Sequence, residues 1–388
     1  MIKETGPVKK AVAIVFAVAL LLVTGLTLTS YLKQNSLRSL FSGSAESGYT
    51  SALWNHNRFI DLSGWMAGKL RINSLYSNMD MYVTNNGYIV SAADETSTDY
   101  EVEQTVALRD FLAENGIQLL YVNQPTKYLD DELFLNEFGL ECYSNRNADR
   151  FVERIREAGI PVVDLRESID AEGLNIYDMF YRTDHHWTVP TGLWAAGKIA
   201  EGLNDSCGYH IDTSLYDESR FIRTDWEQCW LGEQGRKIGQ TYVGLDDYTE
   251  LKPSYETSYT FYDDNWSPYT GTFDEFINSS IRTPENDVYE NISWYYSFAW
   301  RQCSNNNVEG GKILVLGDSY AHSMVPFLTL GVHKADLLSL RDCADDFALR
   351  DFILTNDYDT VVIAYAQFMI GAHDDPDSSN YMLFSFDR

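Results

Sequence analysis

One order of events recurs along the chain: a segment of helical periodicity, a glycine, then a short unbroken apolar run. Residues 105–115 stop at Gly116, a natural C-cap, before the apolar run 117–122. The same order returns over 147–158, Gly159 and 161–165. Such short runs have no polar face, so as strands they must be covered on both sides. Helix–strand repetition of this kind predicts an α/β fold on a mainly parallel sheet. Further strands are expected at 312–316, 335–340 and 360–366, and a helix over 344–355. Thr188 can N-cap a helix running to about 203, with Pro190 tolerated in its first turn. Nearer the start, 55–75 reads as helix, and 81–84 with 87–90 as strands about a turn at Asn85, Asn86 and Gly87.

Residues from about 207 to 307 break the pattern. They are rich in Tyr, Trp, Asp, Gly and Thr and have little helical period. They read as an aromatic-rich insertion of loops and short strands that splits the core, not as a separate domain. At the other end, Lys3, Lys9 and Lys10 precede an uncharged run over 11–32, roughly long enough to cross a bilayer. It lacks the small-residue ending of a cleaved signal, so it reads as a signal anchor. The layout is a basic cytoplasmic end at 1–10, the anchor at 11–32, a linker at 33–51 and an extracytoplasmic catalytic domain at 52–388. A cleaved signal is the alternative, and it too places the domain outside the cytoplasm. The net charge of −28 argues against nucleic acid, which would be repelled. Five cysteines are dispersed without metal spacing; Cys207 with Cys229 is a conceivable staple, and pairing stays open.

Two short segments carry chemistry. The strand at 312–316 ends in Gly317, Asp318, Ser319 and Tyr320, where a helix is expected to begin. In open α/β sheets ligands bind beyond the carboxyl ends of the strands. A serine there can attack an acyl carbonyl once a base removes its proton, and its own amide can serve an oxyanion hole. A plain N-cap is the bland alternative. The second segment is Thr183, Asp184, His185, His186, Trp187 and Thr188. In an extended stretch Asp184 and His186 project to one side and His185 away. A carboxylate orienting an imidazole that activates a serine is triad logic, and chain order is no objection. Asp184, His185 and His186 could instead bind a metal, but further ligands are needed and the other histidines are scattered singly. No metal and no cofactor are therefore expected.

These paired motifs resemble those of bacterial DHHW proteins, which are similar to the alginate O-acetylation proteins AlgJ and AlgX. That group is a permuted branch of the SGNH hydrolase superfamily, in which the Asp-x-His element precedes the serine, as here. Supporting pieces are Asn86 to Tyr88, Asn123 to Lys127, Gly235 to Gly239, and Asp246 with Asp247. The resemblance implies an SGNH hydrolase-like three-layer sandwich over most of the exterior part. It also implies Ser319 as nucleophile, His186 as base and Asp184 as its orienter. No Gly-x-Asn-Asp element of conventional SGNH enzymes is apparent, so the second oxyanion donor is sought at Tyr365 or Gln367. Arg182 could bind an acidic sugar, and His322 could line the site. The resemblance further implies a polysaccharide substrate and a membrane-bound O-acyltransferase as acetyl donor.

Three functions are compatible with these residues. They are acetyl transfer to an extracellular polysaccharide through acyl-Ser319, carbohydrate ester hydrolysis by the same triad, and sugar binding without catalysis.

Overall fold

Residues 7–35, 52–75, 81–262, 267–279, 288–290, 293–294, 300–301, 303–344, 346–371 and 379–387 are described in a computed structural model of the chain. The linker expected at 33–51 lies almost wholly outside them. The helices include α1 (Pro7–Gln34), α2 (His56–Leu70), α3 (Asp99–Glu114), α4 (Ser144–Glu157), α5 (Leu165–Glu172), α6 (Val189–Cys207), α7 (Glu233–Ile238), α8 (Val325–Leu328) and α9 (Leu349–Thr355), with further short helices at Gln240–Val243 and Ser379–Leu383. The strands are β1 (Ser74–Leu75), β2 (Met81–Val83), β3 (Ile89–Ser91), β4 (Gln118–Gln124), β5 (Val162–Asp164), β6 (Phe221–Trp230), β7 (Asp246–Pro253), β8 (Tyr259–Tyr262), β9 (Pro268–Gly271), β10 (Asn278–Ser279), β11 (Ser293–Trp294), β12 (Trp300–Arg301), β13 (Cys303–Asn305), β14 (Lys312–Gly317), β15 (Lys334–Leu338) and β16 (Thr360–Ala366).

The apolar runs form the middle of one nine-stranded sheet, ordered β5-β4-β16-β14-β15-β13-β8-β9, with β12 also on β15. Neighbours from β5 to β15 are parallel. Neighbours from β15 to β9 are antiparallel. Successive strand residues face opposite sides, and β4 exposes both layers. A Cβ on Gly202 of α6 would lie 3.7 Å from Leu120, whereas Tyr121 meets Phe151 of α4 at 5.0 Å between ring centroids. Helices therefore cover both faces, which is the three-layer α/β sandwich that unbroken apolar strands require.

Several boundaries move. Helix α3 starts at Asp99 instead of 105, because Asp99 and Glu101 place negative charge where the helix dipole favours it. The helix expected over 344–355 is confined to α9. After Ser319 the chain makes a 3₁₀ turn, Ser319–Ser323, followed by the four-residue α8, instead of one continuous helix. The aromatic-rich segment is more ordered than loops: β6 and β7 form a long antiparallel hairpin, and β8, β9 and β13 extend the central sheet. Cys207 and Cys229 are not bonded, and all five cysteines are free thiols. Within α1, Lys9–Lys33 is long and apolar enough to cross a membrane.

Candidate active site

The turn that carries Ser319 begins where β14 runs out. A Cβ on Gly317 would come within 2.8 Å of Ala321 and Leu337, so only glycine lets the strand close this tightly on the following turn. Asp318 then caps that turn. One carboxylate oxygen accepts from Tyr320 N at 2.9 Å and the other from Ala366 N at 2.7 Å, joining the ends of β14 and β16. Burial pushes the Asp318 carboxyl up, and the bonds from Ala366 and Tyr320 oppose it. Ser319 opens the 3₁₀ turn. Its amide therefore has no carbonyl within the turn to bond, and is available to an anion at that edge.

The Asp-His segment is a loop and not a strand. Phe180 pairs with Trp187 in an isolated antiparallel bridge, and the residues between them bulge out as bends. Asp184 Oδ1 accepts from His186 N at 3.0 Å and lies 2.5 Å from His186 Nδ1; His186 Nε2 lies 2.7 Å from Ser319 Oγ. A carboxylate can only accept, so Nδ1 carries the ring proton and Nε2 accepts from the serine hydroxyl. Burial alone would raise the Asp184 carboxyl. The charge and hydrogen bond of His186, the His185 ring and the Glu233 amide outweigh it and hold Asp184 well below the usual carboxylate range.

His185 corrects the expectation from strand alternation. It does not turn away: its ring packs on His186 with centroids 3.8 Å apart, and its Nδ1 is 3.6 Å from Asp184 Oδ1. Period-two reasoning fails because the backbone bends here. Burial pushes His185 down to about 4, and the neighbouring His186 adds to the shift. Ligand atoms of Asp184, His185 and His186 lie within 4.8 Å of one another, as a metal site would need. Both ring nitrogens of His186 are already engaged, so an ion there would displace the serine or the carboxylate.

The two motifs are also stitched together directly. Trp187 Nε1 donates to Tyr320 O at 3.1 Å and Ser323 Oγ at 2.8 Å, and the Tyr320 hydroxyl donates to His185 O. A second clasp comes from the aromatic-rich segment, and sequence reasoning gave it no role. Gly232 N donates to Thr183 Oγ1 and Gly235 N to Thr183 O, each at 2.8 Å. Glu233 N, the first amide of α7, donates to Asp184 Oδ2 at 2.6 Å. A Cβ on Gly232 would sit 2.4 Å from Asp184 Cβ, so this approach needs glycine. From β7, Asp246 accepts from Arg182 N, Thr183 N and Thr183 Oγ1 at 3.0, 2.9 and 2.5 Å. Lys127 is buried beneath the loop, and its three donors meet Ile89 O, Arg182 O and Gln234 Oε1 at 2.8, 3.1 and 3.3 Å. Burial pushes its ammonium down to about 7. The only signals in the sequence were Lys127, Gly235 and Asp246, each in a segment that supports the resemblance.

The remaining candidates are less well placed. Tyr365 is fully buried and its hydroxyl donates to Leu383 O at 2.7 Å, away from the serine. Gln367 Nε2 donates to Ser144 Oγ and Asn145 Oδ1 at 3.0 and 2.8 Å, fastening β16 to α4. Neither side chain offers a donor to the serine: Tyr365 lies within β16 with its hydroxyl on Leu383, and Gln367, just past the strand, turns to α4. The Arg182 guanidinium is paired with Asp246 and Leu245 O, so its charge is already met. His322, one 3₁₀ turn beyond Ser319, is pushed down to about 4 by burial and by the nearby His186. Beside the triad a cavity of about 370 Å³ is lined by Ile89, Lys127, His185, Glu233, Tyr320 and Phe368 among others.

Residues 81–223, which include Asp184 and His186 but stop short of Ser319, match the family model of ALGX, the SGNH hydrolase-like domain of acetyltransferase AlgX. Over these residues the chain is similar to an SGNH hydrolase-like domain of the AlgX type. The alginate biosynthesis protein AlgX of Pseudomonas aeruginosa is 33% identical over 122 residues, which are 30% of this chain and 25% of that relative. The alignment thus spans about a quarter of the relative's length. Two solved structures share the fold over more of the chain. Bacillus cereus PatB1 superposes with a TM-score of 0.61 at 19% identity, covering 79% of this chain and 99% of that one. A DHHW family protein from Eubacterium siraeum gives 0.59 at 14%, covering 80% and 97%.

Proposed function

We propose that the chain transfers acetyl groups to an extracytoplasmic polysaccharide through an acyl-Ser319 intermediate. The observation that carries this reading is the unbroken line from Asp184 through His186 to Ser319 Oγ, with contacts of 2.5 and 2.7 Å. His186 Nε2 takes the hydroxyl proton as Oγ attacks the donor carbonyl, and returns it to the departing group. A sugar hydroxyl then attacks acyl-Ser319, giving its proton to the same nitrogen, and Ser319 leaves with that proton. Asp184 stabilises the imidazolium formed in each step. The Ser319 amide is one oxyanion donor.

The likeness of residues 81–223 to an acetyltransferase domain favours transfer over hydrolysis. Lys3, Lys9 and Lys10, ahead of the apolar run, favour an anchor with its basic end inside and the catalytic part outside. A membrane-bound O-acyltransferase would be the acetyl source on this reading. The test is the full chain incubated with an activated acetyl ester, followed by peptide mass spectrometry and ester turnover. An acetyl adduct on the Ser319 peptide is expected in the wild type and not in Ser319→Ala. Sugar-dependent loss of the adduct marks a transferase, and equal loss in water marks an esterase. Two forms equally unmodified by several donors would leave sugar binding without catalysis as the better reading.

A further inference from the structure

The outward side of α2 is a surface that the catalytic reading does not use. The inward side is fully committed. Asp61 accepts from Gln240 Nε2 at 3.2 Å and Tyr289 Oη at 2.6 Å, and a Cβ on Gly64 would lie 2.4 Å from Ile238 O of α7. Outward, Phe59, Leu62, Trp65, Met66 and Leu70 are 41–67% exposed. Their spacing of three and four residues puts them on one face of the helix. The charged groups among them are Arg58 and Lys69, and the one acid of the helix, Asp61, is turned inward. Trp54 and Ile72 continue the apolar surface past both ends. On a chain of net charge −28, an apolar and cationic face without a carboxylate is a local reversal of character. Single exposed apolar residues need no explanation, but a contiguous set does.

Its position supplies the second observation. Trp54 N donates to Thr27 Oγ1 at 3.1 Å, and Thr27 lies within the apolar span Lys9–Lys33 of α1. The start of α2 is therefore held against the last turns of the helix that is long enough to cross a membrane.

We propose that α2 lies in the headgroup layer of the membrane that α1 crosses. Its apolar residues enter the acyl boundary, and Arg58 and Lys69 reach anionic lipid phosphates along extended stems. Tryptophans at such an interface are favoured for their amphipathic rings. The proposal goes beyond the acyl-transfer reading and needs only that α1 be inserted. It also has a consequence for the site: α2 packs on α7, whose first amide holds Asp184. Docking then fixes the triad at a set height above the bilayer in place of letting it swing on a linker.

The test uses the purified full chain in nanodiscs of phosphatidylcholine and phosphatidylglycerol that carry a photoactivatable acyl probe, with labelled peptides mapped by mass spectrometry. Label on residues 54–72 as well as on α1 is expected. A Leu62→Glu/Met66→Glu variant with an unchanged circular dichroism spectrum and melting curve should lose at least about fivefold of the 54–72 label while keeping that on α1. Wild-type label confined to α1 overturns the proposal, whatever the variant does. So does protection of α2 in native membranes but not in nanodiscs, which would identify a protein partner as the occupant.

Discussion

Replacing Asp246 with asparagine keeps its shape and turns one acceptor oxygen into a donor. Wherever that amide group points, it meets donors. On one side is Arg182 N at 3.0 Å; on the other are Thr183 N and Oγ1 at 2.9 and 2.5 Å. The less costly rotamer keeps its oxygen on Thr183 and forfeits the Arg182 amide and the Arg182 ion pair. A hydrogen bond to a charged acceptor contributes roughly 1.5–3 kcal/mol, and a half-exposed ion pair up to about 1 kcal/mol. The variant should therefore unfold about 2–4 kcal/mol more easily. Arg182 and Thr183 lead directly into Asp184, so turnover should fall too. A shift near 1 Å at a reacting geometry costs roughly 10²-fold. Urea unfolding and acetyl-ester turnover, both measured well below the melting temperature, read the two effects separately. Asp247→Asn is the control: Asp247 is exposed, it accepts from Gln228 N and Nε2, and both quantities should stay near wild type. Wild-type turnover in a measurably destabilised Asp246→Asn variant would refute the idea that the β7 carboxylate orients the triad loop.

Gly232→Ala puts a methyl group 2.4 Å from Asp184 Cβ and 2.5 Å from Thr183 O, so the carboxylate must shift; ester turnover should drop at least about tenfold with the fold retained by circular dichroism. His322 has its pKa lowered to about 4 in the folded chain against an ordinary value of 6.5. The unfolded chain then takes up a proton first, so stability present above pH 6.5 is lost as pH falls toward 4, by at most about 3 kcal/mol. His322→Phe should flatten that slope in urea titrations at several pH values, and an unchanged slope would assign the acid sensitivity elsewhere.

The strands at β4, β14 and β16 were legible because each is built on an apolar run, and such a run has few places to go except the middle of a covered sheet; β5 and β15, which include Asp164 and Asp336, were legible from the shorter apolar stretches around those residues. The same is true of the α6 N-cap, where Thr188 Oγ1 accepts from Thr191 N as its position before Pro190 suggests. Ser319, Asp184 and His186 could be picked out because their chemistry is unusual at those places. That they converge could not be read, since His186 and Ser319, 133 positions apart, are brought together only by β14 lying central in the sheet. The orientation of His185 was misread because local alternation holds for strands, and the Phe180–Trp187 bridge forces a bend. How Gly232, Glu233, Asp246 and Lys127 clasp the loop could not be read for a deeper reason, although Asp246 and Lys127 lay in segments that the resemblance picked out. Backbone amides carry no sequence signature, and a buried carboxylate or ammonium looks like any surface charge until its partners are folded against it. Sequence alone thus determined the sheet, the membrane-length helix and the candidate reactive groups. Tertiary structure decided which groups touch and what holds them, because those contacts link segments far apart in the chain.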